Sequence, residues 1–168
     1  MNILIKHAGV NDWRDLRLIR LKALELDPSV FGSNYQTEVC KTEADWKDWL
    51  LNPEAAIFLI YDKNVPVGMT GIIIDRNDPT KRQAILWGSW LEPSARGKGL
   101  SKLIYEERIQ WARLHPTIER IVVSHRASNT ASKLANQKHG FVYTHTEAKI
   151  WPDGSEEDNV FYCLGIKP

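Results

Sequence analysis

The stretch that decides the fold of this chain is Trp90-Leu91-Glu92-Pro93-Ser94-Ala95-Arg96-Gly97-Lys98-Gly99-Leu100-Ser101. Its pattern predicts the end of a strand, a glycine-rich turn and the start of a helix. Gly97 and Gly99 allow the backbone to pass close to a ligand. The helix that follows presents unpaired N–H groups and the positive end of its dipole, and Arg96 and Lys98 add positive charge. The turn therefore predicts a site for an anion such as a phosphate.

The segments on either side of this turn predict a crossover of strand, helix and strand. Residues 83–91 and 119–124 are predicted to be parallel strands, and the helix between them ends at His115-Pro116. One apolar stripe of that helix comprises Leu100, Leu103, Ile104, Trp111 and Leu114. Gly88 lies inside the first strand, where glycine favours a bulge or a close approach by a ligand. If the two strands diverge there, a phosphate at the turn and a peptide-like arm in the gap describe coenzyme A.

The rest of the chain predicts one mixed α/β domain over residues 1–168. A strand at Ile3–Ile5 precedes a helix that starts after Asn11-Asp12 and stops at Asp27-Pro28, and a second helix starts at Thr42. Strands are predicted over residues 57–61, 65–74, 141–150 and 159–166, with a short helix between Ser128-Asn129 and Gly140. The sequence shows no repeat, low-complexity tract or linker that would mark a domain boundary.

The overall composition excludes several classes of partner. Lys and Arg total 22 against 21 Asp and Glu, so the near-neutral chain offers little to neutralise a nucleic-acid backbone or an anionic membrane. The two cysteines, Cys40 and Cys163, are too few and too far apart for a disulfide framework or a metal cluster. No apolar run approaches the ~20 residues needed to span a bilayer. We therefore expect a cytoplasmic protein with a small-molecule partner.

A second block strengthens the interpretation of the glycine turn. Asn129 and Ser132 are followed by Lys138-His139-Gly140-Phe141. This block resembles the second conserved block of the GNAT superfamily of N-acetyltransferases, and residues 96–101 resemble the acyl-coenzyme A pyrophosphate motif of the same family. The two motifs occur in the family's order and with its spacing, and the element order resembles that fold from the first strand to the last.

The resemblance implies a fold, a co-substrate and a set of site residues. It implies a central, mostly antiparallel twisted sheet of about seven strands, with a parallel and splayed central pair and about four helices. The backbone of residues 96–101 would hold the pyrophosphate of acetyl-CoA, while the pantetheine arm would pair with the backbone of residues 90 and 91 and with Asn129. The implied cofactor-binding residues are Trp90, Leu91, Arg96, Gly97, Lys98, Gly99, Leu100, Ser101, Asn129 and Ser132. No metal is implied.

Two positions depart from the family pattern. Ser101 stands where the family usually has glycine or alanine, and its small hydroxyl is expected to fit and could donate to a phosphate oxygen. Asn136 stands where many members carry the tyrosine that protonates the leaving thiolate, and an amide cannot serve as that acid. Substitutes for it are His125, which is our candidate catalytic residue, Ser124 and Tyr143. Solvent is the alternative, because a thiol with a pKa near ~8.5 is a tolerable anion.

The acceptor side carries weaker signals. An amine with a pKa near ~10.4 must lose a proton before it attacks, and Glu92 and Asp75 are carboxylates near strand ends that could accept it. The loop of residues 29–35 falls where the family builds its acceptor site, so Phe31 and Tyr35 are candidates for an aromatic wall. The acidic residues that could attract a polyamine are Glu38 and Glu43.

These observations predict an enzyme that passes the acetyl group of acetyl-CoA directly to a primary amine. The near-neutral charge and the aromatic loop favour an amine on a small molecule. One alternative is a protein N-terminus or lysine as acceptor, and another is a non-catalytic module that senses acyl-CoA. Related folds often dimerise, so a homodimer is one expected state.

Overall fold

Seven strands form one sheet in a computed structural model that describes residues 2–167. The strands are β1 (Ile3–His7), β2 (Ala55–Asp62), β3 (Val65–Ile74), β4 (Gln83–Leu91), β5 (Arg120–Arg126), β6 (Val142–Glu147) and β7 (Asn159–Gly165). Their order across the sheet is β1-β2-β3-β4-β5-β7-β6. All neighbouring pairs are antiparallel except β4 and β5, which are parallel. The predicted fold is confirmed; the ends of the predicted domain, Met1 and Pro168, lie outside the described residues.

The parallel pair is joined over a short distance only. Three residue pairs connect the strands, namely Gln83 with Arg120, Ala84 with Ile121 and Ile85 with Val122. Beyond these pairs β4 continues to Leu91 and β5 to Arg126, and neither pairs with the other. The predicted splay is therefore present, and it leaves backbone N–H and C=O groups facing the gap.

Five α-helices pack on the sheet, one more than the approximate number predicted. They are α1 (Trp13–Leu26), α2 (Tyr35–Glu38), α3 (Glu43–Leu51), α4 (Leu100–Leu114) and α5 (Thr130–Lys138). The additional helix, α2, is a single turn that begins after Asn34, whose side chain accepts a 2.9 Å hydrogen bond from the backbone N–H of Thr37. Such a short element has too little hydrophobic periodicity to be predicted. No helix within residues 2–167 is long and apolar enough to cross a membrane.

Capping residues explain where the other helices begin and end. Thr42 and Asp45 form a reciprocal capping box at the start of α3, as the sequence predicts. Asn129 caps α5, and α1 ends before Asp27-Pro28. Gly140 adopts a left-handed φ of 85° after α5, a conformation that glycine allows without strain.

The core consists of two large apolar clusters and a smaller third one. One cluster joins α1 and α3 to the sheet and includes Leu16, Trp46 and Met69. The other joins α4 to the sheet and includes Ala112 and Ile121. Residues 67–72 of β3 are buried without interruption. Such a run indicates a central strand that is covered on both faces.

The buried face of α4 differs from the predicted stripe. Leu103 and Leu114 are 45% and 75% exposed, whereas Arg108 is only 1% exposed. Arg108 lies on the buried face because its Nε donates to the carbonyl of Ile104 at 3.2 Å and its Nη1 donates to Ser89 Oγ at 2.8 Å. Hydrophobic periodicity cannot identify a buried charged residue whose hydrogen-bond acceptors lie on its own helix and on a distant strand.

The end of the chain is also less regular than predicted. The strand expected over residues 141–150 is shorter, because β6 ends at Glu147. All six residues of β6 are exposed, so neither face of this edge strand is covered. An isolated bridge between Ile150 and Glu156 holds the following loop.

We expect Gly68→Ala to lower the free energy of unfolding by about 1–3 kcal/mol, the usual cost of overpacking. A Cβ at Gly68 would lie 2.7 Å from the backbone carbonyl oxygen of Trp90, and a backbone atom cannot rotate away. Urea denaturation measures the change. The matched control is Gly165→Ala, where a Cβ would meet no atom within 4 Å, and we expect it to leave stability nearly unchanged. Equal stability of the two variants would contradict the prediction.

Candidate active site

A cavity of about 360 Å³ lies where β4 and β5 diverge. We call it the splay cavity; its walls are residues 86–91 of β4, residues 123–125 of β5, Tyr105 and Arg108 of α4, and the start of α5. A second cavity, of about 540 Å³, lies between the loop at residues 30–33, α2 and residues 85–88 of β4, and Lys149 and Trp151 also line it. We call it the loop cavity. Both volumes suit small ligands.

The two cavities share a wall. Gly88 of β4 and Ser124 and His125 of β5 line both of them. Gly88 has a left-handed φ of 63°, next to the place where the register between β3 and β4 shifts. This bulge confirms the prediction from the glycine. A ligand in each cavity would therefore meet the other at the bulge.

The glycine turn forms the start of α4. Gly97 and Gly99 have left-handed φ angles of 70° and 76°, and a Cβ at either would meet no atom within 4 Å. Among the described residues, no atom accepts from the backbone N–H groups of Gly97, Lys98 and Gly99. The turn thus combines open space with free donors and the positive end of a helix dipole, as a phosphate site requires. Residues 97–101 lie beyond the walls of the splay cavity, whereas Arg96 lines it.

Side chains of the motif hold the end of β4. Arg96 Nε donates to the carbonyl of Leu91 at 2.8 Å, and Trp90 Nε1 donates to Asp27 Oδ2 at 2.7 Å. The Arg96 guanidinium also pairs with Asp27. Burial alone would raise the pKa of Asp27, but its bonds to Trp90 and Arg96 lower the pKa below its usual value. The positive charge of Arg96 is thus balanced by Asp27. The side chain of Lys98 is exposed. Asp27, a wall residue, was missed by sequence reasoning.

The second motif lies on the opposite side of the splay cavity. Asn129 Oδ1 accepts from the backbone N–H of Ser132 at 3.1 Å, and both residues line the cavity. Ser101 does not direct its hydroxyl to the turn. Its Oγ lies 2.9 Å from His139 Nε2 and so connects α4 to the end of α5.

Comparisons with known proteins agree with this geometry. Residues 20–141 match the acetyltransferase (GNAT) family, which is well over half of the chain. The chain belongs to the GNAT family. No curated protein sequence is significantly similar to it. The assignment to the GNAT family therefore rests on the match over residues 20–141.

Solved structures show the same fold at low sequence identity. A GNAT-family acetyltransferase from Streptococcus pneumoniae superposes with a TM-score of 0.83 at 21% identity, covering 98% of this chain and 99% of that one. Salmonella typhimurium yncA, solved with its cofactor acetyl-CoA, superposes with a TM-score of 0.82 at 17% identity, covering 99% of this chain and 95% of that one. The ribosomal-protein-alanine N-acetyltransferase of Brucella melitensis superposes with a TM-score of 0.80 at 22% identity, covering 96% of this chain and 99% of that one.

This GNAT protein is an acetyl-CoA-dependent acetyltransferase, and its described residues fit that co-substrate. The open glycine turn suits a pyrophosphate, and the unpaired edges of β4 and β5 suit the amides of a pantetheine arm. Among residues 2–167 no group of three His, Cys, Asp or Glu side chains is placed to hold a metal ion.

A tyrosine from a neighbouring helix lies beside the position of the missing family tyrosine. Asn136 is 1% exposed, and its Oδ1 accepts a 2.5 Å hydrogen bond from the hydroxyl of Tyr105 on α4. Both side chains line the splay cavity. Burial raises the pKa of Tyr105 even though the charge of Arg108 opposes the rise, so the phenol keeps its proton at neutral pH. Sequence reasoning missed Tyr105 because the two helices are far apart in the chain.

Arg108 places a fixed positive charge beside this phenol. Its guanidinium lies 4.6 Å from the centre of the Tyr105 ring, and within the described chain its Nη2 has no hydrogen-bond partner. Burial lowers the pKa of Arg108 to about 10, although Tyr105 counteracts the change. The side chain is therefore charged at neutral pH and favours negative charge in the splay cavity.

His125 lies at the wall that the two cavities share. Its Nδ1 is 2.7 Å from the carbonyl oxygen of Arg126. A carbonyl only accepts, so Nδ1 carries the proton and Nε2 of the neutral ring is an acceptor. Nε2 has no hydrogen-bond partner within residues 2–167. Ser124 also lines both cavities, whereas Tyr143 is exposed and lines neither.

The two carboxylates considered as bases have other partners. Glu92 pairs with Lys22, and Asp75 accepts from Gln83 Nε2 at 2.7 Å, at the opposite end of β4 from Leu91. Neither lines a cavity.

The predicted acceptor loop is only partly placed at the site. Phe31 is buried in the core and lines both cavities, whereas Tyr35 lines neither. Glu38 lines the loop cavity but binds Arg20, and Glu43 pairs with Lys47 away from it. The charges that would attract a polyamine are therefore already matched.

We expect Gly99→Glu to raise the dissociation constant of coenzyme A by at least about 100-fold, because it places bulk and negative charge at the pyrophosphate. Calorimetry measures the affinity. The control is Gly154→Glu, since Gly154 has a similar φ of 79° and equally open space but lies in the loop between β6 and β7. Equal affinities for the two variants would mean that the pyrophosphate binds elsewhere.

Proposed function

We propose that this acetyltransferase transfers the acetyl group directly to the primary amine of a small molecule. The observation that carries the proposal is the shared wall at Gly88 and His125, where a donor in the splay cavity and an acceptor in the loop cavity would meet. The loop cavity has walls from several elements and a volume that suits a small ligand.

The reaction requires one proton to be removed and another to be supplied. Acetyl-CoA contributes an activated acetyl thioester. As the nitrogen–carbon bond forms, the carbon–sulfur bond breaks; one proton leaves the nitrogen and one is added to the sulfur. The chain must therefore place a proton acceptor near the amine and a donor or a positive charge near the sulfur.

Tyr105 is our candidate for the sulfur side. Its phenol lines the splay cavity beside Asn136, the position that carries tyrosine in many GNAT members, and the proton that it donates to Asn136 Oδ1 would pass to the sulfur. Arg108 supports the same role, because its charge stabilises a leaving thiolate before the proton arrives. The loss of the usual tyrosine therefore does not require the loss of catalysis.

His125 is our candidate for the amine side. The sequence hypothesis gave it the role of acid, but the bond to Arg126 makes Nε2 of the neutral ring a proton acceptor. The role of base agrees better with this tautomer and with the position of the ring between the cavities.

The proposal is tested with a panel of small amines and of short peptides with free N-termini or lysines. Release of free thiol from acetyl-CoA and the mass of the product identify the acceptor. Acetylation of small amines supports the proposal. Turnover of peptides alone would show a protein acceptor, and coenzyme A binding without any turnover would contradict the proposed transfer.

Two further expectations from the sequence, a cytoplasmic location and a homodimer, belong to this proposal. Cys40 and Cys163 are both free, which fits the reducing environment of the cytoplasm. A homodimer also stays a prediction, which sedimentation of the purified protein would test.

We expect Tyr105→Phe to lower kcat by at least about tenfold, because it removes the phenolic proton but keeps the ring. The affinity for acetyl-CoA should change little. Steady-state kinetics and calorimetry separate the two effects. Tyr143→Phe is the control, since that hydroxyl lines neither cavity, and it should leave kcat unchanged. Equal kcat values for the two variants would exclude Tyr105 as the acid.

We expect His125→Ala to lower kcat by about 100-fold while the affinity for coenzyme A changes little, because no base is left to accept the proton of the amine. Coenzyme A binding reports whether the site still forms. His145→Ala is the control, because His145 lies on the exposed strand β6 and lines neither cavity. Equal kcat values for His125→Ala and His145→Ala would exclude His125 as the base.

A further inference from the structure

The loop cavity contains a buried guanidinium with a free nitrogen. Arg20 is 5% exposed, and its Nε and Nη2 each donate to Glu38 at 2.8 Å. Its Nη1 has no hydrogen-bond partner in the part of the chain that the structure describes. Nη1 would lie 3.7 Å from a Cβ at Gly88, so this donor stands next to the bulge where the two cavities meet.

The carboxylate of Glu38 cannot serve a cationic ligand as well. Burial alone would raise its pKa, but the hydrogen bonds and charge of Arg20 lower it, assisted by Ser33 and Lys41. Both of its oxygens already accept from Arg20. Glu38 is the only acidic residue in the described wall of the loop cavity, so no unmatched negative charge remains there.

Two lysines add positive charge to the same cavity. Lys41 Nζ lies 5.1 Å from the ring centre of Trp49, and Lys149 Nζ lies 4.2 Å from that of Trp151. No carboxylate within residues 2–167 forms an ion pair with either lysine. The cavity therefore has an excess of positive charge between aromatic walls.

We propose that the acceptor amine carries an anionic group, a carboxylate or a phosphonate, and that Arg20 Nη1 and the two lysines bind it. This inference rests on the proposed function, because it describes the acceptor of that reaction. A guanidinium N–H forms a strong charge-assisted hydrogen bond with a carboxylate or phosphonate oxygen. Because Nη1 adjoins the bulge, the anion and the amine must be only a few bonds apart, as they are in an α-amino acid.

The same charges assist the reaction. Nearby positive charge disfavours an ammonium ion and so lowers the pKa of the acceptor amine. More of the amine is then neutral and able to attack. A simple diamine or polyamine has no anion to offset this repulsion, so the cavity discriminates against it.

The test uses matched acceptors. The common amino acids and an aminophosphonate are compared with the carboxamides of the same amino acids and with amines that lack the acidic group. The value of kcat/KM comes from thiol release at low salt. We expect the best acidic acceptor to exceed its neutral counterpart by at least about tenfold. Equal rates, or a preference for the neutral amines, would overturn the inference while leaving acetyl transfer to small amines intact.

Variants then locate the anion. Lys41→Met and Lys149→Met should each raise KM for the acidic acceptor several-fold and leave KM for its carboxamide unchanged. The double variant Arg20→Met with Glu38→Met removes the buried pair without leaving a single charge, and it should have the largest effect. Lys63→Met, in the exposed turn between β2 and β3, is the control for loss of one lysine.

A binding measurement keeps the inference separate from the proposed function. N-acetylated amino acids and their carboxamides are titrated into the protein saturated with coenzyme A. Binding of the acids alone, weakened in Lys149→Met, would support the anion site even if no amine in the panel were acetylated. Absence of this preference in both binding and turnover would show that the positive charges serve no ligand.

Discussion

The divergence of β4 and β5 is the constraint on which the site depends. The two strands pair over three residues only, and β4 bulges at Gly88. Each strand keeps an outer neighbour, β3 or β7, so the sheet tolerates the gap. The gap exposes main-chain donors and acceptors that would otherwise be costly to bury, and acetyl-CoA has amides to satisfy them. Without the divergence, the splay cavity and the loop cavity would not meet.

Two buried guanidinium groups set the electrostatics on either side of the bulge. Arg108 lies on the splay-cavity side and has no carboxylate partner in the described chain, whereas Arg20 lies on the loop-cavity side and is held by Glu38. Each keeps one unpartnered nitrogen. A buried charge is expensive unless it is paired or interacts with a ligand. In the proposed reaction these two residues accommodate negative charge, on the leaving sulfur on one side and on the acceptor on the other.

Local signals made much of the fold predictable. The bounds of β4 agree with the predicted strand, and Thr42, Gly99 and Asn129 mark helix starts because capping depends on a few neighbouring residues. The residues missed are of a different kind. Tyr105, Arg108 and Asp27 act through partners on elements distant in the sequence. A single sequence contains no local pattern that pairs them.

The sequence by itself determined the family and predicted the place of the co-substrate. Both follow from the glycine turn and from the block after Asn129, because short-range backbone geometry is enough to form a phosphate site and a helix start. Only the tertiary structure led to the proposals for the proton chemistry and showed the charge of the loop cavity. Tyr105 reaches Asn136 from another helix, and the excess of positive charge arises because Glu38 is already bound by Arg20. Side-chain electrostatics depend on distances between elements, and those distances exist only once the chain has folded.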